Sequence, residues 1–249
     1  MVSGLKRKRR TRCYSTLRWS RFRAAGAAAV LLFASATAAA GETEWRQLQD
    51  KAQASFQRGD FGESQRLARE ALLEADASLG AYHRATEESL NLLSLALRMS
   101  KRPDEALPYA RRLVAVRTRR YGEQHLETAI ALHNNAEILI ALNRLAAAEE
   151  VQRAAVDMFA TKLGPDHFNT AAGVHNLGAI RLKQKRYAEA EQYLRQALAA
   201  KEKTLKPGHL SIAHTLDNLA VALESQGKRD EAQKYKRRAD AIRKATASR

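Results

Sequence analysis

A chain of 249 residues with 43 Lys and Arg against 27 Asp and Glu, 6% aromatic residues and only four prolines is long enough for a sizeable core and rich in helix formers. Its formal charge of +16 invites a nucleic-acid reading, yet nine of the 43 bases stand in residues 1–40 with no acid beside them, leaving 34 against 27 in the rest. Beyond residues 1–40 no cluster of bases interleaved with aromatics occurs before the C-terminal stretch Lys228–Arg249, so composition argues against a nucleic-acid partner for the rest of the chain.

Residues 1–40 have the three parts of an export signal: a basic region 1–23, an apolar region 24–40, and a small-residue run ending Ala38-Ala39-Ala40. Cleavage is expected before Gly41, which would make the mature chain periplasmic. The alternative is an inner-membrane anchor through residues 24–40. That stretch is mostly Ala, Ser and Thr and falls short of the about 20 strongly apolar residues a span needs. Membrane contact is expected only if this leader is retained. The one cysteine, Cys13, precedes the apolar region, so a processed chain has no thiol and must be held by packing alone.

From residue 41 to the end the chain repeats itself with a period of 42 residues. His83, His125, His167 and His209 keep that spacing, as do Ala106, Ala148, Ala190 and Ala232, the apolar column Leu90, Leu132, Val174 and Leu216, and Gly80, Gly122 and Gly164. Gly59, Phe61, Ala71 and Leu72 fall in register with Gly227, Tyr187, Ala197 and Leu198, which defines a divergent first copy. The copies lie near 42–82, 83–124, 125–166, 167–208 and 209–249, making 41–249 one repeat domain.

Each copy carries two helical stripes. In the last, Ile212, Leu216, Leu219, Ala220 and Leu223 share one face of a helix; in the fourth, Ala190, Tyr193, Leu194, Ala197 and Leu198 do the same. Polar joins as short as Lys183–Tyr187 and Ser225–Arg229 force the two helices to run antiparallel. Gly164 is expected to close its helix in the left-handed conformation, with Pro165 blocking continuation. Pro103 suits the first position of a helix, and Pro108 predicts a local bend. Glu149, Glu150, Glu189 and Glu191 are expected at helix starts, where they complement the dipole. One hairpin leaves an apolar face uncovered, and stacking copies buries it. The predicted fold is therefore all-α: a right-handed superhelical solenoid of about five antiparallel helical hairpins, with first helices forming a concave inner wall.

The helix-ending Gly-Pro-x-His, the N-L-A/G triplet, the basic-plus-ring join and the E-A-E/Q start of the second helix stand together around Pro165–His209, and the N-L-A triplet and the E-A start recur in the last copy, His209–Ala232. In these marks the chain resembles the 42-residue tetratricopeptide repeat of kinesin light chains, over about Glu42 to Ala241 and most clearly from Tyr82 onward. The repeat is also carried by bacterial proteins of many roles. The resemblance implies a groove that binds an extended peptide or a partner helix, with triplet asparagines holding peptide backbone. Matched residue by residue, these are Asn134, Asn176 and Asn218; in the second copy Leu92 holds that column and Asn91 stands one place early. The preceding column, Asn91, His133, His175 and Asp217, is also expected to face inward. A terminal-carboxylate clamp of another subgroup needs an Asn directly after the conserved glycine, and Ala179 follows Gly178 here.

Chemistry beyond binding finds little support. The spaced histidines cannot share a metal, because ligand atoms must lie about 2 Å from the ion whereas neighbouring repeats lie on the order of 10 Å apart; they are expected to cap helix starts. No nucleophile elbow, phosphate-binding loop or zinc-protease motif is present. The expectation is a non-enzymatic adapter, without cofactor, metal or small-molecule substrate, that binds a protein or peptide in its concave groove. A self-associating scaffold of the cell envelope is the alternative. The asparagine column itself has two readings, a clamp on a ligand backbone or hydrogen bonds from repeat to repeat, since an amide both donates and accepts.

Overall fold

The computed structural model describes residues 39–247, so Cys13, the basic region and most of the apolar region lie outside the described residues. Among the described residues there are ten helices and no strand. They pair as α1 (39–57) with α2 (Phe61–Ser78), α3 (Arg84–Met99) with α4 (Pro103–Tyr121), α5 (Leu126–Ala141) with α6 (Leu145–Leu163), α7 (Phe168–Lys183) with α8 (Tyr187–Thr204), and α9 (Leu210–Glu224) with α10 (Arg229–Ala247). From α2 onward each helix packs on the one before and the one after it, and the first helices α5, α7 and α9 also meet in series. The result is an all-α repeat solenoid.

Repeated residues do repeated work. His83, His125, His167 and His209 are the N-caps of α3, α5, α7 and α9, each accepting through Nδ1 a hydrogen bond of 3.1 Å from the backbone N–H two residues on. Thr86, Thr128 and Thr170 donate to the carbonyls of Gly80, Gly122 and Gly164 at 2.8 Å, locking each first helix to the link before it. Gly164 corrects one expectation. It has φ +94 and ψ 162, positive but extended, a region open essentially to glycine alone and not the left-handed helical one. At the next link Lys206 stands in the glycine's place, and α8 ends one residue sooner with Leu205 extended (φ −108, ψ 153).

The left-handed residue sits instead inside each hairpin. Gly59, Lys101, Asn143, Lys185 and Gly227, spaced by one period, all have positive φ. At Lys185 the amide of Arg186 donates to the carbonyl of Arg181 and that of Lys185 to Leu182, both at 2.9 Å, closing α7 in the double-bonded turn that a left-handed residue permits. Ala106, Ala148, Ala190 and Ala232 are buried, letting paired helices approach closely. The first copy has Ser64 in that column, and its buried Oγ finds no partner among the described residues. Pro103 opens α4 as expected; α4 continues through Pro108, whose exposed position leaves to water the carbonyl it cannot bond.

Side chains also tie copy to copy. Arg69 meets the Tyr109 hydroxyl at 2.6 Å and Glu105 at 3.2 Å, and Arg195 meets Tyr235 at 2.8 Å and Glu231 at 2.6 Å in the same register. Glu149 is not a helix-start acid: it lies in the second turn of α6 and grips the buried Arg181 of α7 through both oxygens, at 2.5 and 2.6 Å. That guanidinium holds its carboxyl at about 2. Glu189 does lie in the first turn of α8.

Candidate functional site

The first helices α5, α7 and α9 line a cavity of about 430 Å³ to which the second helices α6 and α8 add Phe159 and Lys201. His133, Asn134, His175 and Asn176 all line it, so the two middle copies bring together the inner-wall residues expected of them. Asn218 joins the group from α9 by reaching the Nε2 of His175 at 3.3 Å. Asn91 does not: it borders a separate cavity of about 300 Å³ with Gln49, Gln53 and Glu88. Asp217 is also elsewhere, its carboxylate held at 2.6 Å by Arg243 of α10, a partner 26 residues away that no face pattern reveals.

The asparagine column divides. The amide of Asn176 donates to Gln152 Oε1 on α6 at 3.3 Å, and Asn218 bonds His175 on α7, so both connect one copy to the one before. Asn134 makes no side-chain hydrogen bond among the described residues and stands open on the cavity. His133 packs its ring edge-on to Phe159, 6.1 Å between centroids, with Nε2 3.7 Å from Glu137, which in turn pairs with Arg98 of α3 at 2.9 Å. Its Nδ1 is buried and has no hydrogen-bond partner among the described residues.

A chain of polar contacts runs behind the wall. Lys201, only 2% exposed, donates from Nζ to Thr215 Oγ1 at 2.9 Å and to the carbonyl of Ser211 at 3.3 Å. Thr215 Oγ1 lies 3.1 Å from His175 Nδ1 and 3.0 Å from the Ser211 carbonyl. With the Asn218 amide donating to Nε2, every contact becomes a donor–acceptor pair when His175 carries its proton on Nδ1 and Thr215 donates to Ser211. Burial, reinforced by Lys201, His214 and His133 nearby, pushes His175 down to about 3, so it is neutral at physiological pH. Burial likewise pushes His133 below its ordinary range and brings Lys201 down to about 8.

Lys201, Gln152 and Glu137 were not among the residues the sequence singled out. Comparison across copies could have found the lysine: its column reads Ala75, Arg117, Phe159, Lys201, Arg243. Among the described residues no group of three or more His, Cys, Asp and Glu could hold a metal ion, and no helix is long and apolar enough to cross a membrane.

Comparison with known proteins agrees with this architecture. The family profile described as tetratricopeptide repeat matches at residues 46–119, 101–161, 127–203 and 169–245. Among solved structures the chain is similar to a kinesin-light-chain candidate of Podosopora anserina with nearly identical TPR-like repeats, at 24% identity and a TM-score of 0.67, covering 83% of this chain and 97% of that one. BtubC (BKLC) of P. vanneervenii gives 20% identity and a TM-score of 0.67 over 88% of this chain and 91% of that one. A Rap protein complexed with competence and sporulation factor gives 17% and 0.65, over 80% of this chain and 54% of that one. No curated protein matches the chain.

Proposed function

Because the chain belongs to the tetratricopeptide repeat family, we propose that it is a non-enzymatic adapter that holds an extended peptide or helix of a partner protein along its inner wall. The observation carrying this reading is the cavity on the first helices α5, α7 and α9, where Asn134 presents an amide that has no partner among the described residues, beside the neutral His175 and the Phe159 and Phe168 rings. An unpaired amide can serve a peptide N–H and C=O at once, and the rings offer apolar contact. The Rap structure, similar in fold, is complexed with a factor, which makes such a use of this architecture reasonable.

The self-associating scaffold finds less support. The last helix presents charge: Lys236 pairs with Glu224 at 2.6 Å, Arg238 with Glu202, and Arg243 with Asp217 and Asp240. A charged end face is a poor surface for stacking chains, and three of its bases are held in ion pairs within the chain. Export is part of the proposal. Among the described residues Gly41 is the first buried one, and a side chain there would collide with Ser78, so cleavage before it would leave the packed part of α1 in the mature chain.

The test is capture of partners from periplasmic extract by the mature chain, followed by titration. Asn134→Ala should weaken a captured partner by about 1–3 kcal/mol, the cost of stranding a buried polar group, with the melting temperature unmoved. Asn176→Ala should lower both, because it also breaks the bond to Gln152. Unchanged affinity in Asn134→Ala would remove the inner wall from consideration.

A further inference from the structure

The repeat supplies its own control for Lys201. One position of the second helix carries a cation in three copies: Arg117, Lys201 and Arg243. Arg117, 7% exposed, is met by Glu87 at 2.9 Å and Glu127 at 3.2 Å, and its guanidinium donates to the Glu127 carbonyl at 3.1 Å. Arg243 is met by Asp217 and Asp240, both at 2.6 Å. Lys201 makes the same backbone contact two periods on, to the carbonyl of Ser211. Its acids are missing. The places of Glu87 and Glu127 are taken by Ala171 and Ser211, and that of Asp217 by His175. Among the described residues no carboxylate comes within 4.0 Å of Nζ, although the side chain is the most buried of the three cations.

A cation taken out of water without a counter-charge is costly and is normally paired. An ammonium has three protons, and Thr215 and Ser211 occupy two. The third has no acceptor among the described residues, and Lys201 borders the cavity together with Ser211, His214 and Asn169. The short side chain of Ser211 borders the cavity at the position where Glu127 presents its carboxylate to Arg117. Burial lowers the lysine's proton affinity without discharging it at neutral pH.

We propose that the cavity at Lys201 is a carboxylate subsite, taking one carboxylate from an acidic side chain of the bound partner or from a small free acid in the position that acids of the chain itself fill beside Arg117. This rests on the groove reading for the first source and is independent of it for the second. The ligand's oxygen accepts the remaining ammonium proton, and His214 and Asn169 line its other side.

The experiment uses the mature chain labelled for amide NMR and two pairs of probes. Sodium acetate is titrated against sodium chloride at equal ionic strength, and an N-acetylated, C-amidated tripeptide with a central Glu against its Gln counterpart. Saturable shifts confined to Ser211, Thr215 and residues around Lys201, produced by acetate and the Glu peptide only, establish an acidic side chain as ligand. Shifts with acetate but with neither peptide establish a small free acid. Lys201→Met should weaken the effective probe about tenfold or more. Ser211→Glu, which returns the acid found beside Arg117, should abolish the response while keeping the lysine, and serves alone should the first variant not fold. Equal responses to chloride and acetate, or an undiminished response in both variants, overturn the inference. Loss of partner capture in Asn134→Ala with a silent acetate titration leaves the groove reading standing and removes this one.

Discussion

Two junctions of the same solenoid are built on one plan and balanced differently. Between the second and third copies, Arg117 is enclosed by Glu87 and Glu127, with Tyr121 and Arg120 also on Glu87 at 3.0 and 3.1 Å. Between the fourth and fifth, Lys201 sits deeper, against a carbonyl and a hydroxyl that in turn meets a neutral imidazole. The first is closed and self-sufficient; the second carries a charge the chain does not answer. A repeat architecture tolerates this because its stability is a sum of neighbour contacts, so one strained junction can be carried by the others. Specialisation in such a protein consists of omitting a structural pair in one copy.

The largest effect should come from breaking the closed junction. Arg117→Met leaves Glu87, 5% exposed, short of its main partner and should cost about 3 kcal/mol in urea melts; Arg120 and Tyr121 keep the loss from being greater. Next is a pH effect centred on the open junction, to which the buried His133 adds in the same direction. The folded His175 takes its proton only near 3, whereas the unfolded chain does so near 6.5. Folding thus excludes a proton in that window, and stability present above pH 6.5 is lost as pH falls. Between pH 6.5 and 4.5, above the range where Glu149 titrates, melts should show a decline of up to about 1.4 kcal/mol per pH unit that His175→Gln reduces. The groups facing this ring are Lys201 of α8, His214 of α9 and His133 of α5, and their charge opposes its protonation.

Opposite in sign and smaller, Lys201→Met should stabilise the chain by about 1–2 kcal/mol, since Thr215 keeps its bonds to Ser211 and His175 and no polar group is stranded. A loss instead would mean that the ammonium is already satisfied. The smallest effect is a transplant. Ser211→Glu gives Lys201 the acid that Arg117 has and should gain about 0.5–1 kcal/mol in the same melts.

The period of 42 residues made the helices, the histidine caps and the inward positions of His133, Asn134, His175 and Asn176 legible, because each rests on a residue type recurring at one place. Lys201 was not legible that way. Its column mixes alanine, phenylalanine and three cations, and a search for recurring apolar faces passes over a position whose content changes. Asp217 was placed on the right helix, but a face pattern says nothing of Arg243 on the following one. The positive φ of Lys101, Asn143 and Lys185 was hidden for the same reason: glycine marks the position in the first and last copies alone.

The histidine caps carry a genetic consequence. Excising residues 126–167 joins His125 directly to Phe168, setting an N-cap against the first residue of a first helix just as His167 stands now. A gene for such a chain can lose or gain one copy by unequal crossing-over without spoiling a single helix start. The shortened product keeps Lys201, Thr215, His175 and Asn218 together and exchanges the wall contributed by His133 for that of Asn91. Selection can thus change what flanks the open junction by recombination in one step, leaving its chemistry whole.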